Sequence, residues 1–245
     1  MNVSNEFIIF RFLWVEFQLQ EICSQVSDHD IESVLEALPE DMEGTYERII
    51  EMQNKKPRAQ RNLARKALMW IAYTQRPLEI TELASAVATE KDTKSKEMLD
   101  DMTPTADAIL AACNPLVIVD NSQLVRFVHF SVLEFFLRGH SNVINSVEAH
   151  TQMAHACMTF LQFCYKSEGL PGEFIYPPFC EYARNAWDHH LRALPVDTQT
   201  SDEMLTVVSC FLRFGPFLEK TSSGRRHYHP ARTRFAPYTS AVLLG

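Results

Sequence analysis

The sequence predicts a mainly α fold, and three observations point to it. Apolar residues recur at intervals of three and four through most of the chain, the spacing of one helix face. One stretch reads as a β-hairpin: Leu116 to Val119 is a β-branched run, Asp120-Asn121-Ser122 is turn chemistry, and Leu124 to Val128 alternates around Arg126. Directly behind it, Ser131 with Glu134 three residues on has the capping-box pattern, which opens a helix that stops near Gly139. Helices followed by a β-ribbon that runs straight into another helix make a winged helix. The expected architecture is therefore a helical arm over 1–62, a winged helix with one β-hairpin over 63–140, a helical bundle segment over 141–220 and a disordered tail over 221–245.

Each element has a local reason. Phe7 to Val15 is apolar, but no Lys or Arg precedes it, Arg11 interrupts it and no small-residue cleavage site follows, so a signal peptide is not expected. Phe12, Val15, Leu19, Ile22 and Val26 continue it as a helical stripe. That reads as a buried helix whose N-terminal neighbour is missing. No stretch reaches the roughly 20 apolar residues of a membrane span. Ser27 or Asp28 caps a second helix with Ile31, Val34, Leu35 and Leu38 on one face, ended by Pro39. Glu40 to Gln53 turns Met42, Tyr46, Ile49 and Ile50 inward, before a polar break at Asn54 to Pro57. Ala64, Ala67, Leu68, Ile71 and Ala72 form a stripe stopped at Arg76-Pro77. Thr81 caps Glu82 to Ala88, Glu90 to Asp101 reads as a charged surface loop, and Thr103-Pro104 opens the helix Ala106 to Cys113. Beyond Gly139 the expected helices are Val147 to Tyr165, Phe179 to Leu194 and Glu203 to Phe214, with a Gly/Pro-rich connection at Gly169 to Pro178. Past Thr221 the chain has Arg225, Arg226, Arg232 and Arg234 without an acid and without periodicity, the composition of a disordered basic tail.

Composition narrows the function. A chain of 245 residues with 46% hydrophobic and 22% charged residues is ordinary for a globular protein. Its net charge of −8 argues against a nucleic-acid or anionic-membrane binder. DNA binding through the third helix is the obvious use of a winged helix, yet Asp100, Asp101 and Asp107 surround that helix. No Lys or Arg occurs from Glu97 to Gln123, so cations for phosphates are lacking. Six scattered cysteines with no Cys-x-x-Cys pair suggest neither a disulfide framework nor a zinc site, and favour a reducing cytoplasm.

Several segments resemble a known family. Phe12 to Val15 and Leu38 to Ile49, with its Tyr46-Glu47-Arg48, are similar to the segment that follows the ATPase core of NACHT-type STAND proteins. Ala67 to Ala72, Arg76-Pro77-Leu78, Glu82-Leu83-Ala84 and Val128-His129-Phe130-Ser131 through Leu137 resemble that family's winged helix. The segments are similar to those of fungal NACHT–ankyrin proteins, whose module is often named after the GPI inositol-deacylase winged helix. Glu181-Tyr182-Ala183 through Trp187, His189 and His190 resembles the helical segment that precedes their ankyrin repeats. The resemblance spans about Phe12 to Leu218. It implies a nucleotide-driven switch in which a P-loop domain binds nucleotide and the winged helix closes over it. It also implies that 1–62 follows a NACHT core and 141–220 leads toward ankyrin repeats.

The sequence departs from that plan. Phe214 to Thr221 ends in Lys220-Thr221 but has Phe214 and Glu219 where a P-loop needs glycines, so the backbone cradle for phosphates is lacking. No second ankyrin-like copy follows, where about three would be the minimum. Neither catalysis nor a cofactor of its own is therefore expected. His129 is the one candidate binding residue. The resemblance implies a sensor of the nucleotide β-phosphate, acting only with a separate nucleotide domain, and a helix N-terminus beside it suits an anion. The alternative is a histidine held by neighbouring backbone at a strand end. Cys113, His129 and Asp120 could be drawn as a nucleophile triad, but no nucleophile elbow supports it. Adjacent His189 and His190 point about 100° apart on a helix and cannot clamp one metal. Cys157 and Cys164 lie on one face with Ala154, Phe160 and Leu161, and Tyr182, Ala186, Trp187, Leu191 and Leu194 on another; both read as core. The expected function is a non-catalytic interaction or regulatory fragment of a NACHT–ankyrin-type signalling NTPase. Its expected partner is a protein or a nucleotide-binding domain, with no nucleic acid and no membrane. The alternatives are a winged-helix nucleic-acid binder and an accessory domain of a hydrolase.

Overall fold

The computed structural model describes residues 15–19, 21–39, 41–93, 95–138, 145–166 and 177–214. It is mainly α, with one two-stranded antiparallel hairpin among the described residues. The architecture is a helical arm, a winged helix and a helical bundle segment. Two compact units interleave along the chain: the described residues of Met1–Glu79 with Ala106–Asn145, and those of Ile80–Thr105 with Ser146–Gly245.

In the first unit, helix α1 (Asp28–Glu36) starts where the Ser27 hydroxyl accepts from the Asp30 N–H. Helix α2 (Met42–Asn54) starts where Asp41 Oδ1 accepts from the Gly44 N–H at 2.8 Å. Helix α3 (Arg58–Tyr73) buries Ala64, Ala67, Leu68, Met69 and Trp70 and packs on α6 (Ala106–Cys113). Strands β1 (Val117–Val119) and β2 (Val125–Phe127) pair with Ile118 opposite Arg126, both exposed, while Val117 and Val125 are buried. The Val125 N–H donates to Leu78 O at 2.8 Å and Glu79 bridges Leu124, so the segment after α3 adds a rung to the hairpin. Asp120 shapes the turn: its Oδ1 accepts from the N–H groups of Ser122 (2.8 Å) and Leu124 (3.1 Å), and Arg126 Nε donates to its Oδ2. Gln123 takes the left-handed conformation there, with φ 63°. Helix α7 (Phe130–Leu137) closes the unit with Val132, Phe135 and Phe136 inward.

In the second unit, helices α4 (Ile80–Ala88), α8 (Ser146–Lys166) and α9 (Phe179–Arg192) pack together, α11 (Asp202–Phe214) lies on α8, and α5 (Lys96–Met102) lies on α4. The short α10 (Val196–Gln199) precedes α11. Aromatic pairs bind the helices: Phe160 meets Phe179 edge-on at 5.0 Å, and Trp187 meets Phe211 at 4.9 Å. The Tyr182-to-Leu194 stripe is buried throughout, as are Ala154, Cys157, Phe160 and Leu161.

Several expectations need correcting. The N-terminal stripe is not inward: Val15 and Leu19 are about half exposed and Val26 is 95% exposed, while Phe17, outside the stripe, is buried. The helix ends at a turn at Ser24, so the periodic register does not carry to Val26; Phe12 lies outside the described residues. Helix α1 has no fully buried residue, and Leu35 points outward. Residues 90–101 are not all loop. Ser95 caps α5, Lys96 pairs with Asp100 at 2.7 Å one turn on, and Leu99 alone anchors it, so its charges mark a solvated helix face. The stripe of α3 shifts to include Met69 and Trp70, with Ile71 and Ala72 half-buried. Helix α4 begins at Ile80, one residue before the proposed cap Thr81, and α10 was not anticipated. Helix α7 begins at Phe130, so Ser131 is not its cap. The hairpin, α2, α6, α8, α9 and α11 lie where the sequence places them, to within about two residues. The tail, the P-loop-like string beyond Phe214 and the stop at Gly139 lie outside the described residues.

Candidate functional site

His129 stands at the junction of β2 and α7 in extended conformation (φ −153°, ψ 153°), and its ring caps the helix. The Ser131 N–H donates to His129 Nδ1 at 3.3 Å, and the Ser131 hydroxyl lies 2.7 Å from the same nitrogen. On the other side, that hydroxyl lies 2.7 Å from the hydroxyl of Tyr46 in α2. The proton positions follow. A nitrogen that accepts an N–H carries no proton in the neutral ring, so Ser131 Oγ must donate to Nδ1 and in turn accept from Tyr46. Burial pushes the Tyr46 phenol up to about 12, against the opposing Ser131 hydrogen bond, so it remains protonated and able to donate. Tyr46, 2% exposed and packed on Phe135 at 5.3 Å, is fixed in place. The Ser131 N–H thus leaves the ring proton of neutral His129 on Nε2, and the Tyr46–Ser131–His129 relay runs toward Nδ1.

The capping box expected at Ser131 and Glu134 is therefore replaced. Ser131 Oγ is turned toward Tyr46, and the imidazole supplies the cap acceptor instead. Glu134 faces Arg138 across one helical turn at 3.8 Å. Beside the relay, a cavity of about 230 Å³ is lined by Asp41, Glu43, Glu134, Arg138, Met42 and Phe135 together with Tyr46 and Ser131. Three carboxylates against one guanidinium make that cavity unfavourable for phosphate. An anion at this junction would depend on the ring N–H and the helix N-terminus.

The triad drawn from Cys113, His129 and Asp120 has no working nucleophile. Cys113 is fully buried, and burial pushes its thiol up to about 12, so no thiolate forms near neutral pH. Asp120 serves the hairpin turn, whose Leu124 N–H leads in holding its carboxyl below the usual range. His189 is exposed and His190 is fully buried, with their ring centroids 5.3 Å apart. The partners of His190 are not visible in the sequence. The Tyr182 hydroxyl lies 2.8 Å from His190 Nε2, and His150 Nδ1 lies 3.0 Å from His190 Nδ1. Burial, then the neighbouring His150 and His189, pushes His190 down to about 3. Burial also lowers His150 and His155. This is a neutral structural network between α8 and α9. Tyr182 and His190, two turns apart on one helix, were the available signal, but the partner His150 comes only from folding. Among the described residues no group of three or more His, Cys, Asp or Glu is placed to hold a metal ion, and no helix is long and apolar enough to cross a membrane.

Residues 46–149 match the family model described as the GPI inositol-deacylase winged helix domain. The match takes in α2 from Tyr46 onward, the hairpin, His129 and all of α7, so both ends of the Tyr46–His129 relay fall within it. Neither a curated protein nor a solved structure matches the chain.

Proposed function

We propose that this chain is a non-catalytic regulatory module that closes on a nucleotide-binding domain, as the winged helix of a NACHT–ankyrin-type signalling NTPase does. It acts in the cytoplasm, and its partner supplies the P-loop. The winged-helix match supports the module, and the resemblance of Val128-His129-Phe130-Ser131 to the STAND sensor supports the partner. One observation carries the reading: the Ser131 N–H and hydroxyl both meet His129 Nδ1, which leaves the proton of the neutral ring on Nε2 beside a helix N-terminus, the chemistry that suits a β-phosphate. The same Nδ1 contact satisfies the second expectation for His129, a ring held by neighbouring backbone. Both roles use one ring through opposite nitrogens.

The test separates them. Mixing the chain with a NACHT-type nucleotide domain is expected to tighten ADP binding by that domain. His129→Asn keeps a capping oxygen but loses the ring donor, and is expected to abolish the tightening while leaving the fold intact. Tight ADP binding by the chain alone, lost in His129→Ala, would overturn the reading.

A further inference from the structure

Charge is segregated on the first unit in a way the winged-helix reading does not use. From Lys55 to Leu78 the sequence holds seven cations (Lys55, Lys56, Arg58, Arg61, Arg65, Lys66 and Arg76) and no Asp or Glu. With a net charge of −8 for the whole chain, the remainder carries −8 − 7 = −15. Arg58, Arg61 and Arg65 follow the three-and-four spacing of one face of α3, and all three are exposed. Arg61 and Arg65 line a cavity of about 260 Å³ between α2 and α3, with the amides of Gln53, Asn54 and Asn62 beside them and no carboxylate in the lining.

Helix capping explains part of this. Lys56 Nζ donates to Ala111 O (3.2 Å) and Ala112 O (3.4 Å) near the end of α6, and Arg61 Nη1 donates to Asn54 O (2.9 Å) at the end of α2. The Arg61 contact uses one of five guanidinium N–H groups and holds the fork at the cavity wall. We propose that this α2–α3 face docks an acidic polypeptide segment, with a carboxylate seated between Arg61 and Arg65. Arginine forks match carboxylates two bonds at a time, and side-chain amides complete the set. Nucleic acid fits less well. No aromatic ring lines the cavity for base stacking, and the strongly acidic remainder repels a long polyanion. The volume is below the range of drug-sized ligand pockets, and suits a side chain. This rests on the chain being an interaction module, but neither on His129 nor on a nucleotide partner.

Fluorescence anisotropy of a labelled, short Glu-rich peptide against the full chain tests the site. Arg61→Gln with Arg65→Gln is expected to weaken binding on the order of tenfold, the loss of one charged hydrogen-bonded contact. Arg58→Gln with Arg65→Gln, which spares the Asn54 cap, is expected to weaken it in the same direction. Lys91→Gln and Arg126→Gln, off this face, should change it less than about twofold. The proposal is overturned if the peptide does not bind, if the arginine variants bind as wild type, or if a single-stranded oligonucleotide binds as tightly with the same arginine dependence. Failure here with the His129-dependent ADP effect intact removes this site and leaves the regulatory module standing. Peptide binding without the ADP effect removes the nucleotide partner and leaves this site.

Discussion

Ser131 presents its backbone N–H and its hydroxyl to the same nitrogen of His129, and Tyr46 presents its hydroxyl to Ser131 from a helix 85 residues earlier in the chain. The backbone N–H thus sets the tautomer of the ring locally, and the tertiary contact to Tyr46 follows from it in direction. In ¹⁵N spectra of histidine-labelled protein, His129 is expected as the Nε2–H form in the wild type and also in Ser131→Ala, which keeps the backbone N–H that donates to Nδ1. An Nδ1–H ring in the wild type would refute the relay. Tyr46→Phe is expected to cost about 1 kcal/mol in urea unfolding, a hydrogen bond's net contribution, with no change in cavity size. The sequence made Ser131 the cap because a serine oxygen ordinarily outranks an imidazole at that position. Local pattern found the right histidine and the right helix. It could not find Tyr46, because nothing in the sequence pairs two positions so far apart.

At the level of helices, regularity decided what could be read. The hairpin and α6 were legible because turn residues and a Thr-Pro start mark their ends, and α9 because its apolar stripe keeps one period from Tyr182 to Leu194. Helix α5 was hidden because Leu99 is its one buried residue and its remaining surface is charged. The first helical turns were misread because an apolar stripe was extended across the break at Ser24. Packing then sets the energetic expectation for α11. Phe211 lies against Trp187 and is 5% exposed, so Phe211→Ala should destabilise the protein by about 3–5 kcal/mol in chemical unfolding. Leu137→Ala on α7, half exposed, should cost well under that. Equal losses at the two positions would refute the assigned packing.

Across the whole molecule, buried and half-buried histidines make stability depend on pH in one direction. His190, His150 and His155 all bind protons less readily in the folded chain than at their ordinary value. As pH falls below about 6.5 the unfolded chain takes up protons first, so stability is full above that value and declines as pH falls toward the folded values, about 3 for His190. The unfolding free energy should drop by at most about 1.4 kcal/mol per pH unit for each such histidine. His190→Gln should flatten that slope, and an unchanged slope would mean that His190 is not held neutral. Net charge and composition made the acidic balance legible, but the cationic α3 face went unread, because averaging over the chain hides a local excess of opposite sign.

The interleaving of the two units also governs the order in which the protein can be finished. Helix α4 emerges from the ribosome well before two of the helices it packs against, α8 and α9. Leu83, wholly shielded in the mature fold, lies on a helix whose cover is incomplete until those helices have been translated. For that interval its face is a natural client for holding chaperones, and nascent chains arrested within α7 should be retained by them where chains released after α11 are not.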